Sequence, residues 1–335
     1  MATITDIAKK ANVSPSTVSR VLNGDQSISV KDETRKKIYE AVEELEYVPL
    51  IEKYSKRKNT TEELTFLTVT SFSQETEIED PYYLSIFYGV ELECKDKEIN
   101  VEKIYKNKDK FDFDPELNVD GIIAIGSFSE TEINRFSEIA DHILFVDSEV
   151  DNYKFDSIVV NLKKVIDKIL DYLFENGFKD IGFIGGRDEN KNDVFDQREK
   201  AFIEYMSHKD LYNEEHIILG EFSIDSGYKI AKESIDIDNL PEAYVVANDS
   251  MAIGVLRALH EKGIKVPEDI SIISINDIPT SKFSIPPLTT VKIHTEFMGM
   301  MAVRTLKERI ENKRALPITV NIPTEMIIRG SVKLD

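Results

Sequence analysis

The sequence predicts an α/β protein in which doubly wound parallel sheets follow a small N-terminal unit of three helices. From Leu64 onward, short runs rich in β-branched residues alternate with amphipathic segments of helix length. Such βαβ repetition builds parallel sheets that are covered by helices on both faces. Before this region, residues 3–24 contain two short helical patterns joined by a tight turn, which is typical of a helix-turn-helix. The number of predicted strands is enough for two sheets.

The helix-turn-helix pattern begins at Thr5, which can cap a first helix, and Asn12 suits the left-handed conformation of the turn. Ser14 is the predicted cap of a second helix, because Pro15 fits the first helical position and Asn23-Gly24 can close the helix. Six apolar residues are predicted to face inward: Ile7, Ala8, Ala11, Val18, Val21 and Leu22. The outward side carries groups that can bind phosphates and base edges in a DNA major groove: Ser16, Thr17, Ser19, Arg20 and Asn23. Periodicity alone fits an ordinary helical hairpin about as well.

A third helix is predicted from Lys31 to Glu46, and its apolar stripe would close a three-helix core. The stripe consists of Ile38, Ala41, Val42 and Leu45. Tyr47-Val48-Pro49 ends this helix, and Leu50 to Glu63 forms a charged link.

Composition describes a globular protein of more than one domain. The chain has 335 residues, 41% of them hydrophobic and 31% charged, so it can bury sizeable cores in two or three units. No apolar run approaches the ~18 residues of a membrane span, and no signal peptide is recognisable, which predicts a cytoplasmic protein without membrane contact. The single cysteine, Cys94, is expected to be a small buried hydrophobe.

Charge is divided unevenly along the chain. The net charge of −20 combines +2 over residues 1–60, which hold 11 Lys+Arg and 9 Asp+Glu, with −22 over the remainder, which holds 31 and 53. An acidic body repels phosphate, so any DNA contact must come from the N-terminal unit. Because +2 is modest for such a unit, a dimer is expected to supply enough contacts.

The region after Leu64 supplies the predicted strands and helices of the sheets. The strands are Leu64–Thr70, Gly121–Ile125, Ile143–Val146, Ser157–Val160, Ile181–Ile184, Ile217–Leu219, Tyr244–Ala247, Ser271–Ile275 and Thr324–Arg329. The helices are Tyr82–Lys95, Leu162–Glu175, Gln197–Ser207, Ser226–Glu233 and Met251–Lys262.

Doubly wound sheets bind ligands beyond the carboxyl ends of their strands, so the residues at those ends are candidates for a binding site. They are Phe72, Ser73, Asp147, Arg187, Asn248, Asp249, Asn276 and Asp277. Carboxylates, amides and guanidinium groups suit the hydroxyls of a sugar, and an aromatic ring suits its C–H face. Other interpretations stay open at this point, because Asn248-Asp249 also fits a helix cap, Arg198 a solvated charge and Phe222 a core ring.

An enzyme and a secreted sugar-binding protein are the competing classes. Gly182-Phe-Ile-Gly-Gly186 follows a strand but matches neither a dinucleotide-binding nor a phosphate-loop pattern, and no G-x-S-x-G elbow occurs. The five histidines lack metal-ligand spacing, so no catalytic residue, metal or cofactor is predicted. The helix-turn-helix pattern and the lack of a signal peptide argue against secretion.

Val13–Asn23 favours DNA binding over a plain helical hairpin, because it matches V-S-x-x-T-V-S-R-V-L-N. This stretch resembles the signature of the lactose/galactose repressor family. Further landmarks of that family are Asp80-Pro-Tyr-Tyr, Phe183-Ile-Gly-Gly186, Ala247-Asn-Asp-Ser-Met-Ala-Ile-Gly254 and Pro286-Pro-Leu-Thr-Thr-Val291, most similar to those of repressors of the galactose and evolved β-galactosidase operons. The resemblance implies a repressor of a sugar operon that binds operator DNA and a sugar effector, galactose or a galactoside. The DNA contacts it implies are Thr5, Ser14, Ser16, Thr17, Ser19, Arg20, Asn23, Ser27, Tyr47 and Lys56.

The link departs from the family pattern. In the family it holds a short hinge helix that inserts an apolar side chain, usually leucine, into the minor groove. Here Lys56 stands where that leucine is expected and Lys53 where alanine is expected. Lysine can hold a phosphate but cannot wedge bases apart, so a link that works through Lys56 would act by phosphate contacts, and Ile51 and Tyr54 are the alternative residues for an apolar wedge.

The resemblance also implies a regulatory body like the periplasmic sugar-binding proteins, with a ligand cleft between two subdomains. The expected division is 1–49 for the DNA-binding domain, 50–61 for the hinge linker and 62–335 for the body, with subdomains 62–160 plus 292–320 and 161–291 plus 321–335. Arg198 matches the family arginine that grips effector hydroxyls, Phe222 matches a stacking ring, and Asn248 and Asn276 match polar groups on sugar-facing loops, with Tyr83 on the opposite wall. We expect a homodimer with the Tyr82–Lys95 helix in its interface, and a sugar that acts as an inducer.

Overall fold

The computed structural model describes residues 4–22, 30, 32–44, 64–107, 110–114, 117–148, 150, 153–187 and 196–333. The chain divides into two compact units, Met1–Glu63 and Leu64–Asp335. None of the described helices is long and apolar enough to cross a bilayer.

The described residues of the N-terminal unit form three helices, α1 (Ile4–Ala11), α2 (Pro15–Leu22) and α3 (Asp32–Glu44). Its core consists of buried apolar side chains that the helical periodicity placed inward: Ile7, Ala8, Ala11, Val18, Val21, Ile38 and Ala41. Asn12 turns the chain between α1 and α2 with a φ of 52°, in the left-handed region, as predicted. Because α1 already includes Ile4, Thr5 lies inside the helix, and the prediction that it caps α1 is wrong.

The larger unit holds two lobes, each built on a six-stranded sheet. The sheet of lobe 1 consists of β1 (Thr65–Thr70), β2 (Asn100–Tyr105), β3 (Gly121–Ile125), β4 (Ile143–Val146), β5 (Asp156–Val159) and β11 (Thr319–Asn321). The helices of lobe 1 are α4 (Gln74–Glu79), α5 (Pro81–Asp96), α6 (Glu130–Ile139) and α11 (Thr295–Asn312).

Lobe 2 repeats this plan. Its strands are β6 (Ile181–Gly186), β7 (Ile217–Gly220), β8 (Ala243–Val246), β9 (Ser271–Asn276), β10 (Thr289–Lys292) and β12 (Glu325–Ile327). Its helices are α7 (Leu162–Glu175), α8 (Gln197–His208), α9 (Ile224–Ser234) and α10 (Asp249–Glu261), with 3-10 turns at Glu214–His216 and Ser281–Phe283.

The two sheets share one topology. The strand order is β11-β5-β4-β3-β1-β2 in lobe 1 and β12-β10-β9-β8-β6-β7 in lobe 2, and only β12 runs antiparallel to its neighbour. The strand order reverses beside β1 in the first sheet and beside β6 in the second. Open α/β sheets bind ligands in the crevice at such a reversal. Each lobe therefore offers one ligand-binding edge, at the carboxyl ends of its strands.

The chain crosses between the lobes three times, after β5, after β10 and between β11 and β12. The second crossing returns α11 to lobe 1, where it packs on α5 and on the strands β3, β4 and β5. Three short crossings leave the lobes joined by a narrow set of segments, which is the arrangement of proteins that close by a hinge.

Helices α5 and α11 cross at glycines. A Cβ atom on Gly89 would lie 2.0 Å from the carbonyl oxygen of Glu296, and one on Gly299 would meet the α5 backbone equally closely. Only glycine allows two helix backbones to approach this far. Arg304 of α11 also donates two hydrogen bonds to the buried carboxylate of Glu93 on α5, at 2.9 and 2.7 Å. Both contacts hold α5 in a fixed position on lobe 1.

The fold class is confirmed, but several elements of lobe 1 were not indicated by the sequence. They are β2, α4, α6, α11 and β11. The edge strand β2 reads Asn-Val-Glu-Lys-Ile-Tyr and lacks the apolar run of a buried parallel strand, because one of its sides has no neighbouring strand. The strand β10 of lobe 2 was missed because it reads Thr-Thr-Val-Lys and is only four residues long.

Candidate DNA-binding helix and effector cleft

The second helix of the N-terminal unit exposes a polar side. Ser14 caps α2 as predicted, since its Oγ accepts a hydrogen bond from the Thr17 N–H at 3.1 Å and lies 2.8 Å from Thr17 Oγ1. Val18 and Val21 are buried in the core and fix the rotation of the helix. Arg20, on the same helix, is exposed.

The other predicted DNA contacts divide into two groups. The backbone of α1 and α2 is described at Thr5, Ser16 and Ser19, whose side chains are outside the described set. The predictions for Asn23, Ser27, Tyr47 and Lys56 and for the hinge linker at 50–61 lie outside the described residues.

Arg198 is the centre of the wall that lobe 2 contributes to the cleft. Its Nε and Nη2 donate to the carboxylate of Asp196 at 2.7 and 2.9 Å, and its Nη1 donates to the carbonyl of Ala247, just beyond β8, at 2.8 Å. Its guanidinium carbon lies 4.6 Å from the ring centroid of Phe222, in cation–π geometry. Gly186, at the end of β6, gives the ring its space, since a Cβ there would lie 2.8 Å from Phe222.

The wall from lobe 1 combines two stacked rings with two carboxyl groups. Phe72, just after β1, stacks on Tyr83 of α5 with centroids 4.2 Å apart and an interplanar angle of 29°. Asp80 caps α5 by accepting a hydrogen bond from the Tyr82 N–H at 3.1 Å. Asp147 follows β4 and has a left-handed φ of 59°, which turns the chain at the carboxyl end of the sheet.

Electrostatics show that the two walls act on one another. Burial raises the pKa of Asp147 to about 6, although the hydroxyls of Tyr82 and Tyr83 and the charge of Arg198 act in the opposite direction. Burial also raises the pKa of Asp80, against the Tyr82 N–H, the Ser250 hydroxyl and the charge of Arg198. An arginine of lobe 2 therefore acts on carboxylates of lobe 1.

Ser250 and Asn248 complete the lobe 2 wall at the start of α10. The Oδ1 of Asn248 accepts a hydrogen bond from the Met251 N–H at 2.8 Å, so this side chain caps the helix. The Ser250 hydroxyl is 1% exposed and has no hydrogen-bond partner among the described atoms, although it lies close enough to Asp80 to lower the pKa of that carboxyl. A buried hydroxyl without a partner is unfavourable unless a ligand or water satisfies it.

Comparison with known proteins identifies the family. A profile of bacterial regulatory proteins of the lacI family matches residues 3–49, and a periplasmic binding protein-like domain matches residues 170–332. The chain is 40% identical to the HTH-type transcriptional regulator GanR of Bacillus subtilis (strain 168), over 99% of this chain and 100% of that protein. It is 37% identical to the HTH-type transcriptional repressor MelR of the same organism, over 99% and 97%. The chain belongs to the lacI family of bacterial transcriptional regulators.

Solved structures agree with this assignment at the level of the fold. The structure of a transcriptional regulator CelR–cellobiose complex superimposes with a TM-score of 0.69 at 23% identity, over 99% of this chain and 100% of that chain. The lacI-family regulator described here is therefore a DNA-binding protein and not an enzyme, as predicted. Among its described residues, no group of three or more His, Cys, Asp or Glu side chains could hold a metal ion.

Asp249 of the regulator requires a correction. The prediction that it contacts an effector is wrong, because its side chain is completely buried and its carboxylate accepts four hydrogen bonds within lobe 2. The donors are the hydroxyls of Ser274, Ser281 at 2.6 Å and Thr290 at 2.6 Å, and the backbone N–H of Ile278 at 2.8 Å. Asp249 therefore joins α10 to β9, β10 and the segment between them.

Three further predicted contacts follow or end strands of lobe 2. Arg187 donates to the buried carboxylate of Glu199 at 3.1 and 2.6 Å, and Asp277 accepts from Arg329 at 2.6 Å. Asn276 ends β9 with a φ of 121° and is largely buried. The structure thus brings together five of the predicted effector residues: Phe72, Tyr83, Asp147, Arg198 and Phe222.

Sequence reasoning missed Asp80, Asp196 and Ser250 as parts of the cleft. Asp80 carried a signal, since it precedes Pro81 at the start of α5, and an aspartate before a proline is a typical helix N-terminus. Asp196 likewise caps α8 through the N–H of Arg198. In both cases the helix start that holds the backbone also places a carboxylate beside the cleft.

Proposed function

We propose that this lacI-family regulator represses a sugar-utilisation operon and that galactose or a galactoside, bound between lobes 1 and 2, releases it from operator DNA. The observation that carries the proposal is the cluster around Arg198. This guanidinium is fixed within lobe 2 by Asp196 and the Ala247 carbonyl, and its charge acts on Asp147 and Tyr83 of lobe 1.

The chemistry of the two walls suits a sugar. Planar carboxylate and guanidinium groups can exchange paired hydrogen bonds with vicinal hydroxyls, because each hydroxyl both donates and accepts. The Phe72–Tyr83 stack and the Phe222 ring offer apolar faces for the C–H side of the ring. The structurally similar CelR protein was solved with cellobiose, which supports a sugar as the class of ligand.

Release from DNA requires a ligand that prefers one arrangement of the lobes. A ligand with equal affinity for both arrangements would shift nothing. A sugar that contacts Arg198 on one wall and Asp147 on the other favours the arrangement in which the walls face each other. The N-terminal unit continues in sequence into lobe 1 through residues 50–63, so a change in the angle between lobes is the proposed signal to the DNA-binding helices.

A homodimer is proposed as the binding form. Helix α5 buries one side in lobe 1 and exposes a stripe of large apolar residues at four-residue spacing, Leu84, Tyr88 and Leu92. A stripe of this kind on a helix surface is typical of a protein interface. A dimer would also double the positive charge available to DNA, and would match a palindromic operator.

The test is an operator titration with and without galactose, using the wild type, Arg198→Ala and Arg257→Ala. Arg257 is an exposed arginine of lobe 2 and serves as the matched control. We expect galactose to weaken operator binding by the wild type and by the control, and to have no effect on Arg198→Ala, whose affinity for the operator without sugar stays close to that of the wild type. A sugar that strengthens operator binding would contradict the inducer assignment, and full release of Arg198→Ala at wild-type galactose concentrations would contradict the effector site.

A further inference from the structure

The charge of the effector cleft is negative at its described residues. Lobe 1 contributes the carboxyl groups of Asp80 and Asp147, and lobe 2 contributes that of Asp196. The positive charge that acts on all three belongs to Arg198, and two of its donor groups are already bound to Asp196. A second arginine at the edge of β6, Arg187, is bound to the buried carboxylate of Glu199.

The lobe 1 carboxylates of the cleft are hydrogen-bond acceptors, so they favour a ligand that carries donors. Ionised carboxylates only accept hydrogen bonds, so any further contact that Asp80 or Asp147 makes with a ligand needs a donor on the ligand. Sugar hydroxyls supply donors, whereas a phosphate dianion or a second carboxylate supplies acceptors alone. The unpartnered Ser250 hydroxyl beside Asp80 can donate or accept, and so fits a sugar hydroxyl without adding positive charge.

The pKa directions of Asp80 and Asp147 agree with a net negative charge in the cleft. Burial raises the pKa of Asp147 to about 6 and raises the pKa of Asp80, so the nearby positive charge does not offset the cost of burying them. Near pH 7.5 Asp147 is nevertheless ionised, and an anionic ligand would meet its charge at short range.

We propose that the cleft selects an uncharged sugar and rejects the phosphorylated or carboxylated forms of the same sugar. This inference rests on the proposed sugar-binding function and adds the chemical class of the effector. It separates intact neutral sugars from the phosphorylated intermediates that a kinase makes from them. The regulator would therefore respond to a sugar before it is phosphorylated.

The test measures binding of matched ligands to the full-length protein at pH 7.5 by calorimetry. The first set of ligands is galactose, galacturonate, the uncharged methyl ester of galacturonate, and galactose 1-phosphate. The second set is glucose, glucuronate and glucose 1-phosphate. We expect both anions of the first set to bind roughly 100-fold more weakly than galactose, because the half-buried carboxylates of Asp80 and Asp147 repel a like charge that solvent screens only in part. The methyl ester has the bulk of the acid without its charge, and its affinity should stay within roughly tenfold of that of galactose if charge is the cause.

Asp80→Asn provides a charge-neutral variant, because asparagine caps a helix as well as aspartate does. We expect the ratio of galactose to galacturonate affinity to fall by roughly tenfold in this variant. Asp112→Asn removes an exposed carboxylate from the same lobe and should leave the ratio unchanged. A reduced ratio in Asp80→Asn alone supports the assignment even if the variant binds galactose more weakly.

The outcomes separate this inference from the proposed function. Binding of galacturonate or galactose 1-phosphate within threefold of galactose, or more tightly, would overturn the inference. If glucose binds in place of galactose and glucuronate does not, the galactoside assignment fails while the charge rule is supported. If neither galactose nor glucose binds and a sugar phosphate does, the inference that the cleft rejects anionic sugars is overturned. If no member of either set binds, both proposals are refuted.

Discussion

Replacing Asp147 by asparagine should stabilise the regulator at neutral pH while weakening its effector site. The pKa of this carboxyl is raised from 3.8 to about 6, chiefly by burial. When folding raises the pKa of an acid, the free energy of unfolding is highest at a pH below the pKa of the unfolded chain, where the acid is protonated in both states. The free energy of unfolding then falls until the pH passes the higher pKa of the folded state. The loss therefore falls between about pH 4 and pH 6, and the folded state carries the full cost above that range.

The magnitude follows from the shift. Two pKa units at about 1.4 kcal/mol each give about 3 kcal/mol at most. The Asp147 side chain is only half-buried, so solvent screens part of its charge. The substitution also replaces one carboxylate oxygen, an acceptor near the Tyr82 hydroxyl, by an NH2 group. These two effects reduce the expected gain of Asp147→Asn to roughly 1–2 kcal/mol above pH 7. Asparagine also tolerates the left-handed φ of 59° at this position, so the substitution adds no backbone strain.

Urea unfolding followed by circular dichroism at pH 4.5, 6.0 and 7.5 measures the effect. We expect Asp147→Asn to shift the midpoint upward at pH 7.5 and by only roughly a third as much at pH 4.5, where the folded carboxyl is protonated while that of the unfolded chain is already largely ionised. Asp112→Asn, an exposed change in the same lobe, should follow the wild type at each pH. An Asp147→Asn protein that is less stable than the wild type at pH 7.5, with an unchanged pH dependence, would refute the argument that burial dominates at this site.

Three other substitutions test separate parts of the structure. Arg20→Ala should weaken operator binding by roughly 1–3 kcal/mol in a gel-shift titration if the exposed guanidinium reads a guanine edge, and wild-type affinity would remove α2 as the recognition helix. Asp249→Ala should lower the free energy of unfolding by roughly 3–5 kcal/mol because four buried donors lose their acceptor, whereas the exposed Glu268→Ala should change it by less than about 0.5 kcal/mol. Tyr88→Glu on the exposed stripe of α5 should give a monomer in sedimentation velocity with an unchanged melting temperature, and a persistent dimer would place the interface elsewhere.

The sequence indicated those parts of the fold that are decided by local patterns. The α2 helix is an example, because a serine cap, a proline at the first position and valines at helical spacing are all read within eight residues. The sequence also predicted the parallel strands that are covered on both faces. Examples are β3 and β8, which are apolar and buried along their whole length. The edge strand β2 was not predicted, because its mixed composition reflects a position in the sheet that only the tertiary fold determines.

In the candidate site, too, local sequence patterns did not show which residues the tertiary fold brings together. Asn248 and Asp249 are adjacent, polar and at the end of one strand, and the sequence assigned both to the effector. The structure separates them, because the helix begins between them and turns Asp249 into the interior of lobe 2. Arg187 and Arg198 differ in a similar way, since a buried glutamate on α8 holds Arg187, while Arg198 acts on the carboxylates of the other lobe. Which neighbour a charged side chain finds is a long-range property that spacing along the chain does not encode.

Arg198 is held by hydrogen bonds to its own lobe but acts electrostatically on the other lobe, and this difference bears on how a ligand controls the angle between the lobes. All of its described hydrogen bonds are made within lobe 2, so separating the lobes would break none of them. Asp80 and Asp147 belong to the other lobe, and burial raises the pKa of both acids although the charge of Arg198 acts against it. We expect a ligand that contacts Arg198 and also donates to these carboxylates to favour the arrangement in which the two walls face each other. Differential affinity for one arrangement is the requirement for shifting a population. We therefore expect a neutral polyhydroxyl ligand to control the angle between the lobes through Asp80 and Asp147 on one wall and Arg198 on the other.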